Sequence, residues 1–375
     1  MKIALFIPNA TFDLPGTPEV GGIETFSFTL GEALQHLGHE VVIFGGEPKP
    51  GRSHLATTVP LELHPYWETK SIPDLGTRFQ RLVQRLHYGW SSRHAWARRR
   101  VDLVILAKPF DWPVAWFWKR WRPGLKVIMG FHGTDFYAGD RLFYGAIDTA
   151  FAVSPRTAQM AEEHVGIRPI AISNPVNLAL FHPGPDRPAR SESAWHLVAS
   201  GRFIGWKGFA ILLEALALAR DRQIDFHLSL AGSGPEQDQL VAQIKRLNLS
   251  NRVELCGRLA PEKLRDLMRS GDLYIVPSIG FDACNISALE ALAVGLPLLL
   301  SDQVGLKDFL MERDFVAYPS RDAGALAGQL AALSARRQDP DWNDRHARHA
   351  RIRDLVSPEK VAQRILDLAA QISGK

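Results

Sequence analysis

Residues 195–231 read WHLVASGRFIGWKGFAILLEALALARDRQIDFHLSLA, and the fold turns on them. Residues 195–200 form a short apolar run of strand character, 209–220 carry apolar residues at helical spacing, and 226–231 read as a second strand. Strand, loop, helix and strand in that order make a parallel βαβ unit. The loop of this unit holds Gly201-Arg202-Phe203 and Lys207-Gly208.

Downstream, the alternation continues through helix 235–247, strand 253–256, helix 261–269, strand 273–276, helix 286–294 and strand 298–300. Upstream, residues 182–193 are rich in Pro, Gly and charge and keep no periodicity, so they read as an interdomain linker. Before that break lie strand candidates 2–7, 41–44, 101–107, 126–131, 149–153 and 169–172. Between them, Ile23, Phe26, Leu30, Leu34 and Leu37 recur at helical spacing up to Gly38. The class is therefore α/β, with two Rossmann-like doubly wound parallel-sheet domains, 1–181 and 182–375. A polar stretch at 336–353 precedes a last helix, 358–372, which opens on Pro358. Two such domains are expected to leave a cleft, with ligands beyond the carboxyl ends of the strands.

The bulk numbers agree with two domains of middling size. The chain has 375 residues, 46% hydrophobic and 22% charged, the balance of a globular protein. Two cysteines, Cys256 and Cys284, cannot build a disulfide framework, which suits a reducing compartment. The apolar run at the start ends at Pro8 and Asn9, too short for a signal core, and no apolar stretch is long enough to span a bilayer. The expected location is the cytosol or the inner face of a membrane.

Net charge is +4, unevenly spread. Between Trp67 and Lys126 lie Arg78, Arg81, Arg85, Arg93, Arg98, Arg99, Arg100, Lys119, Arg120 and Arg122. Seven of the ten tryptophans share that stretch: Trp67, Trp90, Trp96, Trp112, Trp116, Trp118 and Trp121. Two readings stand. One is an anionic membrane surface, where indole settles among headgroups and basic side chains meet phosphate. The other is a solvated basic face over buried tryptophans. No nucleic-acid-binding motif accompanies the charge, so nucleic acid is not expected.

The chemistry-bearing residues follow strands. Gly21-Gly22-Ile23-Glu24 precedes the first helix, where backbone can approach a ligand and a helix N-terminus favours negative charge. The sequence there is not Gly-x-Gly-x-x-Gly, so a dinucleotide fingerprint is absent. His132, with Gly133 and Asp135 beside it, follows strand 126–131 and can hydrogen-bond a sugar hydroxyl; a lone histidine is also a common structural residue. Arg202 and Lys207 pair a forked donor with a point charge, which suits a diphosphate, or they are two surface cations in a loop. Gly232-Ser233-Gly234-Pro235 closes the next strand. Asp282 precedes a helix and Glu290 lies within it, about 12 Å apart along a helix axis, a span that fits a donor's sugar and its ribose. Ordinary loop and helix acids would show the same spacing.

Taken in order, these pieces resemble retaining glycosyltransferases of family 4, with the GT-B architecture. The resemblance runs along nearly the whole chain: Gly-Gly-Ile-Glu at 21–24, His132-Gly133, Ser173-Asn174-Pro175-Val176-Asn177 with Phe181 and Pro183, Gly201-Arg202 with Lys207-Gly208, Gly232-Ser233-Gly234-Pro235, Val253–Gly257, and Leu289-Glu290-Ala291 with Gly295-Leu296-Pro297. It implies a nucleotide-sugar donor, retention of configuration, and no metal or other cofactor; a glycan or lipid-linked glycan acceptor, such as a lipopolysaccharide or other surface polysaccharide, is expected from the basic, Trp-rich stretch. It implies that Gly21 and Gly22 border the donor phosphates, with Gly201, Gly232 and Gly234 also at the donor. His132 would touch the donor sugar, Arg202 and Lys207 the diphosphate, Glu290 the ribose and Asp282 the transferred sugar. The last helix would pack on the first domain.

The chain departs from the family pattern at two places. Asp282 stands where glutamate is usual, and Val304-Gly305 with Asp308 stands where a glycine pair and a later acid are usual. Asp339-Pro340-Asp341, the one Asp-x-Asp, reads as linker. The competing functions are a degenerate nucleotide-sugar-binding protein and a GT-B epimerase.

Overall fold

The computed structural model of the chain describes residues 1–7, 11–13, 21–47, 52–54, 57–65, 67, 71–134, 136, 144–185, 194–337 and 339–372. Pro8, Asn9, Asp135 and residues 186–193 of the expected linker lie outside the described residues. The chain divides into two units: Met1–Pro175 with Pro358–Lys375, and Val176–Ser357.

The first unit runs β1 (Lys2–Ile7), β2 (Thr11–Asp13), α1 (Gly22–His36), β3 (Glu40–Gly46), β4 (Arg52–His54), β5 (Leu61–His64), α2 (Thr77–Ser91), α3 (Arg93–Arg99), β6 (Leu103–Leu106), α4 (Trp112–Trp121), β7 (Lys126–Phe131), β8 (Thr149–Ala152), α5 (Pro155–Val165) and β9 (Ile170–Ala171). Seven strands form a sheet in the order β5-β3-β1-β6-β7-β8-β9, paired in parallel throughout. Ile3–Ile7 of β1 are all buried, as a strand covered on both faces requires. Phe26, Leu30 and Leu34 form the buried stripe of α1.

The second unit runs β10 (Trp195–Ser200), α6 (Phe209–Asp221), β11 (Phe226–Ala231), α7 (Gln237–Arg246), β12 (Val253–Gly257), α8 (Pro261–Ser270), β13 (Leu273–Val276), α9 (Ile286–Ala293), β14 (Leu298–Ser301), β15 (Phe315–Tyr318), α10 (Ala323–Ala335), α11 (Pro340–Asn343) and α12 (Arg345–Val356). Its six strands are ordered β12-β11-β10-β13-β14-β15, again all parallel. In both sheets the order reverses beside a central strand, between β1 and β6 and between β10 and β13. Loops leaving adjacent strands diverge at such a point and leave room for a ligand.

Helix α13 (Pro358–Ile372) returns the chain to the first unit. It packs against α1, burying Val361, Ile365, Leu368 and Ala369, and the Ala369 carbonyl accepts from Lys126 Nζ at 3.2 Å. The boundary between units falls between Pro175 and Val176, earlier than the expected 181. The Val176 N–H donates to the Val356 carbonyl at 2.9 Å, which ties this segment to the second unit.

The polar stretch 336–353, within which Asp339-Pro340-Asp341 reads as linker, is largely helical. Asp339 caps α11 through the Asp341 N–H at 3.0 Å, so the Asp-x-Asp is a helix start. In α12 the fully buried Arg348 donates to the carbonyls of Gly295 and Trp342 at 2.8 and 2.6 Å.

Candidate functional site

Three loops of the second unit carry most of the expected site, at the carboxyl ends of β10, β11 and β13. The first two are joined backbone to backbone. The Phe203 N–H donates to the Ser233 carbonyl at 2.9 Å, and the Glu236 N–H to the Phe203 carbonyl at 3.1 Å. Gly232 has φ +142, and a Cβ there would overlap the Gly201 carbonyl oxygen. A neighbouring loop is therefore what requires glycine at 232, and Gly234 likewise abuts the Phe203 backbone. The sequence reading assigned that requirement to a ligand; the tight approach is to protein first.

The first loop is also fastened to the third. The Trp206 carbonyl accepts from the N–H groups of Ile279 and Gly280 at 2.8 and 3.2 Å. Gly208, at φ +73, lets the turn press on Pro277. This contact brings Lys207 to Asp282: Nζ and Oδ2 are 2.7 Å apart, with the side chains 16% and 9% exposed. Lys207 Nζ also lies 4.3 Å from the centre of the Trp206 ring. Oδ2 of Asp282 accepts from Asn285 Nδ2 at 2.8 Å and Ser278 Oγ at 3.0 Å as well. The residue that caps α9 is Asn285, through the Ala288 N–H at 2.9 Å. Arg202 is exposed and makes no side-chain hydrogen bond or ion pair to another described residue. An exposed forked cation and a fixed ammonium in one loop suit a polyanion.

Glu290 lies one turn and a half into α9. It is half-buried, its carboxyl has no hydrogen-bond partner among the described residues, and burial pushes its pKa up to about 8. Beneath it, Tyr274 and Ser200 share a hydrogen bond of 2.7 Å, which ties β13 to β10. Burial raises the Tyr274 phenol, and the Glu290 charge adds to that rise, so the phenol stays neutral. An acid held without partners is primed to accept hydrogen bonds from a ligand.

In the first unit, Gly21 is the N-cap of α1 and Gly22 its first residue, both exposed. Phe26, one turn on, meets the His132 ring edge-on with centroids 4.3 Å apart, and Phe151 flanks the same ring at 5.9 Å. His132 follows β7, so the glycine pair and the histidine share one end of this sheet. Burial, helped by the Lys108 charge, pushes the imidazole pKa down to about 3. The ring is neutral, and Nε2 is buried without a partner among the described residues. Toward a sugar it can offer a hydrogen bond and no charge.

Within the second unit the structure thus brings Gly201, Arg202, Lys207, Gly232, Gly234, Asp282 and Glu290 to neighbouring loops of one sheet end. Ser278, Asn285, Trp206 and Tyr274 were missed from sequence. Asn285, just before a helix and three residues ahead of Ala288, had a readable capping signal; the others become visible only through contacts made in the fold.

Residues 20–180 match the family described as Glycosyltransferase Family 4, and residues 186–350 match Glycosyl transferases group 1. A phosphatidyl-myo-inositol mannosyltransferase of Propionibacterium freudenreichii is 26% identical over 356 residues, covering 89% of this chain and 86% of that protein. Among solved structures, the sucrose-phosphate synthase of Thermosynechococcus elongatus superposes with a TM-score of 0.78 at 21% identity, over 100% of this chain and 99% of its own. The Anabaena protein HepE, solved with UDP and glucose, gives 0.74 at 16% identity, over 99% of this chain and 100% of its own. These likenesses show the fold, which is GT-B.

Proposed function

We propose that this chain, which belongs to the group 1, family 4 glycosyltransferases, moves a sugar from a nucleotide-sugar donor to a membrane-linked glycan, with retention and without a metal. The observation that carries the reading is the fixed Lys207 ammonium in the same loop as exposed Arg202, after β10 at the sheet's switch point. Cations held in advance stabilise the charge that grows on a leaving diphosphate, the role a metal would otherwise fill. Glu290, with an unpartnered carboxyl, would accept from the two ribose hydroxyls. Retention rests on the family alone.

The donor is tested by thermal unfolding with UDP, GDP and ADP, with EDTA throughout. The favoured nucleotide should raise the melting temperature, because it binds only the native state. Its effect should grow as pH rises through about 8, since two ribose donors need an ionised acceptor and Glu290 keeps its proton to about that pH. Stability without ligand should move the opposite way. The unfolded acid ionises near its ordinary value of 4.5 and the folded one near 8, so this residue's share of stability falls between them as pH rises. In Glu290→Gln both trends should flatten. No shift with any of the three nucleotides would remove the donor reading.

Support for a membrane-linked acceptor comes from the relative's printed name and from the Trp- and Arg-rich stretch. Trp96, Trp112 and Trp118 are core, with Trp96 and Trp118 stacked at 3.9 Å, whereas Trp90 and Trp121 are 52% and 62% exposed. Phe117 bridges those two, with ring centroids 6.2 and 6.3 Å away. Arg93 lies over Trp90 at 3.9 Å and Arg120 over Trp116 at 5.6 Å. Helices α2, α3 and α4 contain no acidic residue. Arg85, Arg98, Arg99 and Lys119 are engaged with Asp111, Glu62 and Asp148, so Arg93 and Arg120 accompany the exposed rings. Among the described residues no helix is long and apolar enough to cross a membrane. Co-sedimentation with phosphatidylglycerol vesicles should drop about tenfold in the Trp90→Ala, Trp121→Ala double variant, as the loss of two interfacial indoles implies. Equal binding of the parent to anionic and neutral vesicles would sink the membrane reading.

A further inference from the structure

Asp282 is held by its backbone and by its carboxylate. Its N–H donates to the Gln303 carbonyl at 3.0 Å, and its carbonyl accepts from the Gly305 N–H at 2.9 Å. One oxygen, Oδ2, takes three donors: Lys207 Nζ at 2.7 Å, Asn285 Nδ2 at 2.8 Å and Ser278 Oγ at 3.0 Å. Each donor is itself anchored. Asn285 spends its Oδ1 on the cap of α9, Ser278 is fully buried, and Lys207 Nζ rests over the Trp206 ring.

Oδ1 carries no hydrogen bond to another described residue, whereas Oδ2 in this position has little left to offer a substrate. Turning it toward a sugar would strand an ammonium, an amide and a hydroxyl in a nearly buried place, which costs more than one sugar hydrogen bond returns. The ammonium is in the opposite condition. It has three donors, of which the described residues engage one through Asp282, and the rest are available to phosphoryl oxygens. A lysine on its own wanders among rotamers, and one pinned by a buried acid is oriented before the ligand arrives.

We propose that Asp282 is a positioning residue: through Oδ2 it holds Lys207 for the leaving diphosphate. The inference rests on the donor reading above and adds a role for one residue within it. Acting through Lys207, the Oδ2 contact serves every donor alike, whichever sugar it carries.

The test is calorimetric binding of UDP, GDP and ADP, and of UMP, GMP and AMP, to the parent, Lys207→Met, Asp282→Asn and the double variant. The diphosphate that binds the parent should bind each single variant about tenfold more weakly, the loss of one charge-assisted contact. The double variant should be no weaker than Lys207→Met, because the two residues act through one ammonium. Monophosphate affinity should stay within about twofold throughout, which a general packing defect would not allow. Asp282→Glu, keeping the charge, should recover part of what Asp282→Asn loses. Diphosphate binding by Asp282→Asn at the parental strength, losses that multiply in the double variant, or equal weakening of mono- and diphosphates would each overturn the inference alone. A parent that binds none of the six would overturn the donor reading, and this inference with it.

Discussion

Lys207→Ala should lower turnover by about 10²- to 10³-fold at saturating donor, the usual cost of removing one fixed charge from a developing anion. Donor affinity should suffer less, by about tenfold, because the diphosphate's charge is spread in the ground state and concentrates only as the sugar leaves. The size of the effect follows from how Lys207 is held. It is 16% exposed, 2.7 Å from Asp282, and 4.3 Å from the centre of the Trp206 ring, so the charge needs no reorganisation when the bond breaks. Arg202 has no such support, and Arg202→Ala should cost less in turnover than in binding. Lys207→Arg should not restore the parent, since a planar fork cannot take the place of a point charge fitted between a ring and an acid. The measurement is kcat and KM for each variant with one donor. A turnover for Lys207→Ala within tenfold of the parent would mean the leaving group is stabilised by something else.

The positions of these residues were legible because strands were. Short apolar runs at 2–7, 195–200, 226–231 and 273–276 mark strands that are buried on both faces, and the residues right after them must sit at a sheet end. That argument needs only local pattern, so it led to Arg202, Lys207 and Asp282 without a structure, and Glu290 followed from its spacing along the helix after Asp282. What local pattern cannot give is who meets whom. Nothing in the local sequence says that Oδ2 of Asp282 meets Lys207, a residue brought to it by the Trp206–Ile279 and Gly208–Pro277 contacts between two loops far apart in sequence.

The same limit explains the missed helices. In α12, Arg348 takes a position that periodicity reserves for an apolar residue, because the carbonyls of Gly295 and Trp342 satisfy it in the interior. In α2–α4 the tryptophans serve both core and surface. Trp118 is fully buried and Trp121, three residues on, is 62% exposed. Composition alone could not sort them, since both a buried indole and an interfacial one sit beside arginines in this stretch.

Gly208→Ala should destabilise the second unit by about 2–5 kcal/mol, from two causes that add. The residue has φ +73, where an alanine is strained by roughly 1–2 kcal/mol. Its Cβ would overlap the Pro277 carbonyl oxygen, and overpacking of this kind costs about 1–3 kcal/mol. Separating the loops would exchange the overlap for a similar cost, since it gives up the bonds from Ile279 and Gly280 to the Trp206 carbonyl, each worth about 1 kcal/mol net. Gly257 supplies the control. It is also left-handed, at φ +64, but a Cβ there meets nothing within 4 Å, so Gly257→Ala should show the strain alone. Calorimetric unfolding should place the second unit's transition roughly 10 °C lower for Gly208→Ala, with a smaller drop for Gly257→Ala. Turnover should follow, because loops that part also part Lys207 from Asp282, and the ammonium then loses the orientation on which its effect depends. Equal destabilisation by the two variants would show that the Pro277 contact yields without cost, and the loop fastening would no longer explain where Lys207 is held.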